Sequence, residues 1–340
     1  MGSEVFVEML ANPHCHLREG EAMEPLIKLA IKGGADLLGP MPNTALGLTT
    51  ARQVKEYCGL VSPSIQVLPI AMMNEATTYD MLRDWTAAGI KDCKIYPLNR
   101  TTRSHNGVAH YGSLLHRVKY CGKLGIKVHL HPEHPCMLID NRDAEYQFWP
   151  IADMFLNEGA TIVWEHGTDA RCIPLWKQMA RTGRFFVTLT AHHLATTETL
   201  SFGDVRAACK PTIKTLIDQL GLISLIEEGH SWVVAGLDDA PHPTNAKHVH
   251  EDCCACGAYT APFGLQLYAY ALGRMLETKE GIVKFVDFTS RNARRLHGFR
   301  PCSRKAILVR KPFRIPNAYE VGSWLVEPFW AGRDIGWTLL

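Results

Sequence analysis

Asn12-Pro-His-Cys-His-Leu-Arg18 follows a short apolar segment, residues 5–10, that is typical of a β-strand. Strand side chains repeat every two residues, so His14 and His16 are predicted to project from one face. Two imidazoles on one face can share a metal ion. A single pair of this kind also fits an ordinary strand end, and its meaning depends on what the other strands carry.

The composition is that of an ordinary globular protein. A chain of 340 residues, 46% hydrophobic and 21% charged, can bury a large core as one α/β domain or two smaller ones. Thirty-six basic residues against thirty-four acidic ones leave a net charge of +2, with no basic run. Neither nucleic acid nor an anionic membrane is therefore indicated as a partner.

The sequence also bears on the cellular compartment. No apolar run approaches the roughly 20 residues of a membrane span, and the start Met1-Gly-Ser-Glu4 lacks the features of a signal peptide. Eleven cysteines, an odd number scattered along the chain, indicate reduced thiols and not a disulfide framework. We therefore expect a cytoplasmic protein.

Short β-rich runs alternate along the chain with segments of helical apolar spacing. The runs, several of them apolar throughout as buried parallel strands should be, are residues 5–10, 35–41, 65–72, 92–96, 126–130, 161–164, 185–189 and 232–237. The helical segments are residues 23–32, 49–58, 79–88, 111–123, 144–157, 173–181, 213–228 and 263–277. This alternation predicts an α/β fold, a (β/α)8 TIM barrel of eight strand-then-helix units.

We expect one domain over residues 1–340. Its barrel core would span about residues 4–280, and a small C-terminal extension, about residues 281–340, would pack on the barrel. That extension shows a helical pattern at 282–296 and extended runs at 306–309 and 324–329. The long segments 97–111 and 240–262 follow barrel strands, where loops commonly carry function.

Metal-ligating side chains recur where the predicted strands end. Barrels of this type place catalytic groups at the carboxyl ends of their strands. These positions carry His14, His16, Lys94, His131, His166 and Asp238. Their convergence predicts a metal site at the mouth of the barrel.

Lys94 differs from the others because an ammonium group repels a metal cation. An amine close to two positive ions should have a depressed pKa, and its neutral form can react with carbon dioxide to give a carbamate. The carbamate is anionic and could bridge two divalent ions.

These residues carry a resemblance that spans nearly the whole chain in order. The sequence resembles the dihydroorotases of the amidohydrolase superfamily, in their bacterial-type monofunctional class. The matching segments are His14-Cys-His-Leu-Arg18, Met41-Pro-Asn43, Lys94-Ile-Tyr-Pro97, Glu165-His166, Cys209-Lys-Pro211 and Gly236-Leu-Asp-Asp-Ala-Pro-His242.

The resemblance implies a zinc enzyme that catalyses the reversible cyclisation of N-carbamoyl-L-aspartate to L-dihydroorotate in pyrimidine (UMP) biosynthesis. It implies a barrel of the amidohydrolase type, a homodimer, and two Zn²⁺ per subunit bridged by N6-carboxylated Lys94. One zinc would be held by His14, His16, Lys94 and Asp238, and the other by Lys94, His131 and His166. Asp238 would also shuttle the proton between water and the leaving nitrogen.

The resemblance extends to substrate binding. Arg18, Asn43 and His242 match positions that bind the substrate carboxylate, and a guanidinium fork suits a carboxylate through two charge-assisted hydrogen bonds. Thr101 and Thr102 match paired threonines of a loop that closes over the substrate. Main-chain groups near Lys210 and Cys256 match positions that hold the ring amides.

Several positions depart from the family pattern. His129 and His131 share strand parity, so either could be the ligand. Alignment of the preceding Gly125 with the family pattern favours His131. Asp239 follows Asp238 and is expected to be a hydrogen-bond acceptor behind the metal site. For His193 a structural role is favoured over ligation. The run Cys253-Cys-Ala-Cys256 resembles a metal cluster, but a thiol-rich loop is the preferred interpretation because no fourth ligand is near in sequence.

Two other functions remain open at this stage. A hydantoinase-like or allantoinase-like cyclic-amide hydrolase would share the metal site but not necessarily the three carboxylate-binding residues. A metal-free barrel serving as a scaffold would lack bound zinc altogether.

Overall fold

The computed structural model describes residues 4–61, 63–249 and 254–340. The strands are β1 Glu4–Glu8, β2 Leu10–Cys15, β3 Ala35–Pro40, β4 Gln66–Val67, β5 Ile70–Met72, β6 Asp92–Ile95, β7 Lys127–Leu130, β8 Thr161–Trp164, β9 Phe185–Leu189, β10 Val233–Ala235, β11 Lys305–Val309, β12 Phe313–Arg314, β13 Tyr319–Val321, β14 Trp324–Val326, β15 Asp334–Ile335 and β16 Thr338–Leu339.

The α-helices surround these strands. They are α1 Met23–Lys32, α2 Ala51–Gly59, α3 Tyr79–Ala87, α4 Leu115–Leu124, α5 Trp149–Asn157, α6 Ile173–Ala180, α7 Ala191–Ala195, α8 Glu198–Ser201, α9 Leu216–Glu227, α10 Thr244–Lys247, α11 Gly264–Ala271, α12 Lys279–Val286 and α13 Asn292–His297. Short 3-10 turns precede or follow several of them, and a π-helical turn, Asp287–Arg291, joins α12 to α13.

The strands from β2 to β10 close into a parallel barrel. The pairing order is β2-β3-β4 in one sheet and β5-β6-β7-β8-β9-β10 in the other, with parallel ladders throughout. β4 and β5 are two pieces of one barrel strand. The gap between β10 and β2 is closed by a parallel bridge between Cys15 and Asp239. The predicted (β/α)8 barrel is therefore confirmed within the described residues.

The first predicted strand, residues 5–10, is wrong in its extent. β1 leaves the barrel and pairs antiparallel with β11 of the C-terminal segment, whereas the barrel strand is β2. His14 consequently lies within a strand, and His16 lies just beyond it. Alternating apolar residues indicate a strand but do not identify its partner, so a change of partner near Met9 leaves no trace in the pattern.

The third predicted strand, residues 65–72, is interrupted. Pro69 separates β4 from β5. Proline has no backbone N–H to donate to a ladder, so a continuous central strand is not available at this position. The other barrel strands agree with the prediction to within one or two residues at each end.

The interior of the barrel is filled by small and branched side chains near its amino end. Ala11, Leu37, Val163 and Val234 pack together there, and α13 covers them with Ala293 and Leu296. No helix within the described residues combines the length and apolar character needed to cross a membrane.

Candidate metal centre

A polar cavity opens at the carboxyl ends of the barrel strands. It is lined by His14, His16, Arg18, Asn43, Tyr96, Thr101, Thr102, His131, His166, Lys210, Asp238, Ala240, Cys256 and Gly257. Of the side chains predicted to form the site, only Lys94 and His242 are absent from this lining. Lys94 is fully buried in the barrel wall, and His242 contacts Arg18 directly.

The first group of predicted ligands converges on one carboxylate oxygen. Asp238 Oδ1 lies 3.0 Å from His14 Nε2 and 3.1 Å from His16 Nε2. Burial alone would raise the pKa of Asp238, but the two imidazoles hold it well below its ordinary value. An ionised carboxylate and two imidazoles within reach of one another are ligands that suit zinc.

The second group consists of two facing imidazoles. His131 Nδ1 and His166 Nε2 lie 3.1 Å apart, and burial lowers the pKa of both rings. His131 donates from Nε2 to Glu133 at 2.7 Å, so its Nδ1 lone pair is free for a metal ion. Both rings are thus held neutral with a nitrogen directed at the cavity, as metal binding requires.

Lys94 lies in β6, and its environment suits a modified amine. Its side chain is completely buried, and its Nζ has no hydrogen-bond partner among the described residues. Burial lowers its pKa to about 8, although Glu165 and Asp238 oppose the shift. A buried amine with unused hydrogen-bonding capacity fits the carboxylated lysine that the resemblance implies.

Two of the predicted ligands adopt a backbone conformation that is unfavourable for residues with a side chain. His166 has φ of 38° and Asp238 has φ of 47°. Left-handed backbone costs about 1 kcal/mol or more for such residues and persists only where the surroundings enforce it. Around His166, Thr188 Oγ1 accepts the backbone N–H at 2.7 Å. The strain points to a functional constraint on these two positions.

Glu165 fixes His14 from behind the site. His14 donates from Nδ1 to Glu165 Oε2 at 2.8 Å, and Thr188 donates to the same oxygen at 2.6 Å. His129 contacts the other oxygen, Oε1, through its Nδ1. Since His129 also contacts Asp92 through Nε2, neither of its nitrogens faces the cavity. The geometry agrees with His131, not His129, as the candidate ligand.

Asp239 makes hydrogen bonds with Asn12 and with the backbone of His16. Its carboxylate accepts a hydrogen bond from Asn12 Nδ2 at 2.8 Å, and its backbone carbonyl accepts one from the His16 N–H at 3.0 Å. Burial raises the pKa of Asp239 to about 7. The expected division of roles between Asp238 and Asp239 is compatible with this arrangement.

Of the predicted carboxylate-binding residues, Arg18 and Asn43 line the cavity and His242 contacts Arg18. Arg18 donates from Nε to Pro241 O at 3.0 Å, and its terminal nitrogen lies 3.3 Å from His242 Nε2. Burial lowers the pKa of Arg18 to about 10 and that of His242 to about 3. Among the described residues no carboxylate forms an ion pair with the buried Arg18, which makes this cation a strong site for an anion.

The loop with the paired threonines closes over the cavity. Thr102 donates from Oγ1 to Cys256 O at 3.2 Å, and Asn43 donates from Nδ2 to Thr102 O at 3.1 Å. His242 Nε2 reaches the same Cys256 carbonyl at 3.0 Å. Thr101 lines the cavity beside Thr102. The loop therefore rests on the residues that are expected to hold the substrate.

The remaining predicted groups lie at the edge of the site. Lys210 lines the cavity while its Nζ donates to Asn141 at 2.7 Å. His193 bonds Thr190 and the Pro211 carbonyl, which suits a structural role. In the thiol-rich loop Cys253 lies outside the described residues, and Cys254 and Cys256 are free thiols.

Three further positions at or beside the cavity were given no role from the sequence. Tyr96 lines the cavity and donates to Asn43 Oδ1 at 3.1 Å. Its position two residues after Lys94 puts it on the same strand face, a signal that could have identified it. Glu165 and Glu133 orient His14 and His131, and each lies within two residues of a predicted ligand.

Comparison with known proteins gives a consistent assignment, although no family model matches the chain. The sequence is 29% identical to the dihydroorotase of Shewanella amazonensis over 343 residues, covering 96% of each chain. The structure resembles that of Saccharomyces cerevisiae dihydroorotase in complex with 5-fluoroorotic acid, with a TM-score of 0.92, 25% identity and coverage of 99% of this chain and 98% of that one.

A more distant likeness concerns the fold alone. The structure of the L-hydantoinase of Arthrobacter aurescens resembles this one with a TM-score of 0.81 at 13% identity. The match covers 98% of this chain and 82% of that one. The likeness to the dihydroorotases, in contrast, extends over almost the full length of both partners in sequence and in structure. In sequence and in structure, the chain is thus similar to dihydroorotases over nearly its whole length.

Proposed function

We propose that this protein is a dihydroorotase, a cyclic-amide hydrolase that interconverts N-carbamoyl-L-aspartate and L-dihydroorotate in pyrimidine biosynthesis. One observation carries the proposal: a single cavity combines the candidate metal ligands with the buried cation Arg18. The ring of dihydroorotate bears a carboxylate, for which a buried guanidinium is the natural partner. The relatives named dihydroorotase support the same reaction.

The residues suit two zinc ions. His14, His16, Lys94 and Asp238 would hold one ion, and Lys94, His131 and His166 would hold the other. The buried Lys94 amine would serve as a carbamate, formed when its nitrogen bonds to carbon dioxide and releases a proton. When bound, the ions would supply Lewis acidity that polarises a carbonyl and lowers the pKa of water.

The chain itself binds and orients the substrate and moves the proton. Arg18, Asn43 and His242 would hold the ring carboxylate, while Thr101 and Thr102 would close the cavity and exclude water. In hydrolysis, Asp238 would take a proton from the attacking water and deliver it to the ring nitrogen that leaves. In cyclisation the same carboxylate would carry the proton in the opposite direction.

A homodimer is also part of the proposal, by analogy with the family. It is supported by apolar side chains that α9 leaves exposed, with Leu216, Ile217 and Leu220 each at least 55% accessible. Exposed apolar patches of this kind commonly mark contacts between proteins.

The direct test is a hydrolysis assay with purified protein and L-dihydroorotate, before and after treatment with a chelator. We expect turnover that disappears on chelation and returns when zinc is added back. Hydantoin and allantoin serve as control substrates. Faster hydrolysis of either would favour the other cyclic-amide hydrolases, and inactive protein with less than one zinc per chain would favour a scaffold.

A second test concerns Arg18. Arg18→Met should lower kcat/KM for dihydroorotate by about 100-fold or more, because two hydrogen bonds to a charged group are lost, each worth about 1.5–3 kcal/mol. Arg18→Lys keeps the charge but not the fork, and we expect an intermediate value. Dihydrouracil, a similar ring without the carboxylate, is the control substrate. An equal loss of rate on both rings would show that Arg18 does not recognise the carboxylate.

A further inference from the structure

A continuous line of buried polar side chains leads from the candidate metal centre to the opposite end of the barrel. Beyond the contact of His14 with Glu165, the line continues from Glu165 Oε1 to His129 Nδ1 at 2.5 Å and from His129 Nε2 to Asp92 Oδ1 at 3.0 Å. His297 Nδ1 then reaches the same Asp92 oxygen at 2.9 Å. Each of the five side chains is at most 2% exposed.

These members come from widely separated parts of the sequence. Asp92 is the first residue of β6, His129 lies in β7, and His297 is the last residue of α13, the helix that covers the amino end of the barrel. A buried polar group is costly unless it is hydrogen-bonded, so this many in a line require a reason. Bulk packing alone would be served better by apolar side chains.

The position of His129 supplies that reason. His129 lies between two carboxylates, with Nδ1 against Glu165 Oε1 and Nε2 against Asp92 Oδ1, so its ring links Glu165 to Asp92. The contact with His129 holds Glu165 Oε1 in place, so that Oε2 faces His14 Nδ1. A carboxylate that accepts from one imidazole nitrogen fixes the tautomer and orientation of the ring and makes the other nitrogen a better ligand.

The three outer groups could also be regarded as a separate metal site, because Asp92, His129 and His297 offer ligand atoms close to one another. Two observations favour the hydrogen-bonded arrangement. Lys127 Nζ, a cation, lies 3.7 Å from the other oxygen of Asp92. In addition, His129 bonds Glu165 with its second nitrogen, which connects the group to His14.

We propose that His129, Asp92 and His297 are positioning residues that hold Glu165, and through it His14, in the orientation that binds metal. This inference rests on the proposed function, since it takes His14 as a metal ligand. It assigns a role to residues outside the cavity that never touch the substrate. The effect of each should fall with distance from His14, in the order His129, Asp92, His297.

The test compares zinc affinity, measured by competition with a chromophoric chelator, and the visible spectrum of the cobalt-substituted protein. His129→Leu should weaken zinc binding about 10-fold and shift the cobalt bands, and His297→Phe should do so less. His129→Asn provides the conservative variant, because its amide can replace Nδ1 as donor to Glu165. This variant should recover part of the zinc affinity. It also tests the proposal if His129→Leu does not fold.

Asn292→Ala is the matched control. Asn292 lies in α13 with His297 and donates to Val233 O at 2.8 Å and His230 O at 3.1 Å, without contacting the line. The alanine variant should lose stability while its zinc affinity and cobalt spectrum stay unchanged.

The outcomes separate this inference from the proposed function. Suppose that wild-type protein hydrolyses dihydroorotate. If His129→Leu or His129→Asn then binds zinc as tightly as wild-type protein does, the positioning role is wrong. It is equally wrong if Asn292→Ala changes zinc affinity as much, or if wild-type protein holds a third zinc that Asp92→Asn removes. Wild-type protein without zinc or activity contradicts the proposed function itself.

Discussion

Replacement of Asp238 by alanine is expected to lower the turnover of dihydroorotate about 1000-fold or more. General acid and base groups contribute about 100-fold to 10,000-fold, and Asp238 would be a metal ligand as well as the proton carrier. Its carboxylate oxygen lies within 3.1 Å of both His14 and His16, so alanine removes the group on which the site converges. The measurement is kcat together with zinc content per chain.

Asp238→Asn separates the two roles. An amide oxygen can still contact a metal ion, but the amide cannot accept and return the proton. We expect this variant to keep more zinc than the alanine variant while turnover stays as low. Retention of a tenth of wild-type activity by Asp238→Ala, with the fold intact by circular dichroism, would show that Asp238 does not carry the proton.

Lys94→Ala is expected to have a comparable effect for a different reason. If carboxylated Lys94 bridges two ions, its loss removes a ligand from both. Activity should then fall by about 100-fold or more, a larger loss than is expected for a group that only orients a ligand. The alanine variant also leaves a space in a fully buried position. Acetate or propionate with zinc should enter that space and restore part of the activity.

Lys94→Met is the matched control, because methionine fills the space and excludes the added acid. It should be inactive with and without acetate. Carbon-13 bicarbonate, added to wild-type protein with zinc, should give a carbamate resonance that is absent in both variants. A Lys94→Met protein that retains two zinc ions and a tenth of the activity would rule out the bridging role.

The candidate metal ligands were accessible from the sequence because each lies in a barrel strand or within a few residues of its carboxyl end. His131 and His166 come immediately or shortly after β7 and β8, and strand parity places His14 and His16 together. Barrel geometry then brings strand ends together without any information about side-chain contacts. The fold could be predicted for the same reason, since alternation along the chain fixes the class.

Contacts between distant segments could not be predicted in this way. The pairing of Asp92 with His129 and His297 depends on which side chains meet inside the barrel, and no spacing in the sequence encodes it. The position of Thr102 against Cys256 likewise depends on loop conformation. The change of partner between β1 and β2 was hidden because apolar alternation is the same for both partners.

The join between β2 and β10 has a consequence for the folded chain as a whole. Around the barrel this is where the first and last strands meet, and they are held by the Cys15–Asp239 bridge and by Asn12, which accepts from the Leu237 N–H at 2.9 Å. His14 and His16 lie on one side of that join and Asp238 on the other. An ion shared by them would link the first and last strands and stabilise the closed barrel. Zinc binding would then raise the free energy of unfolding of the protein as well as support its activity.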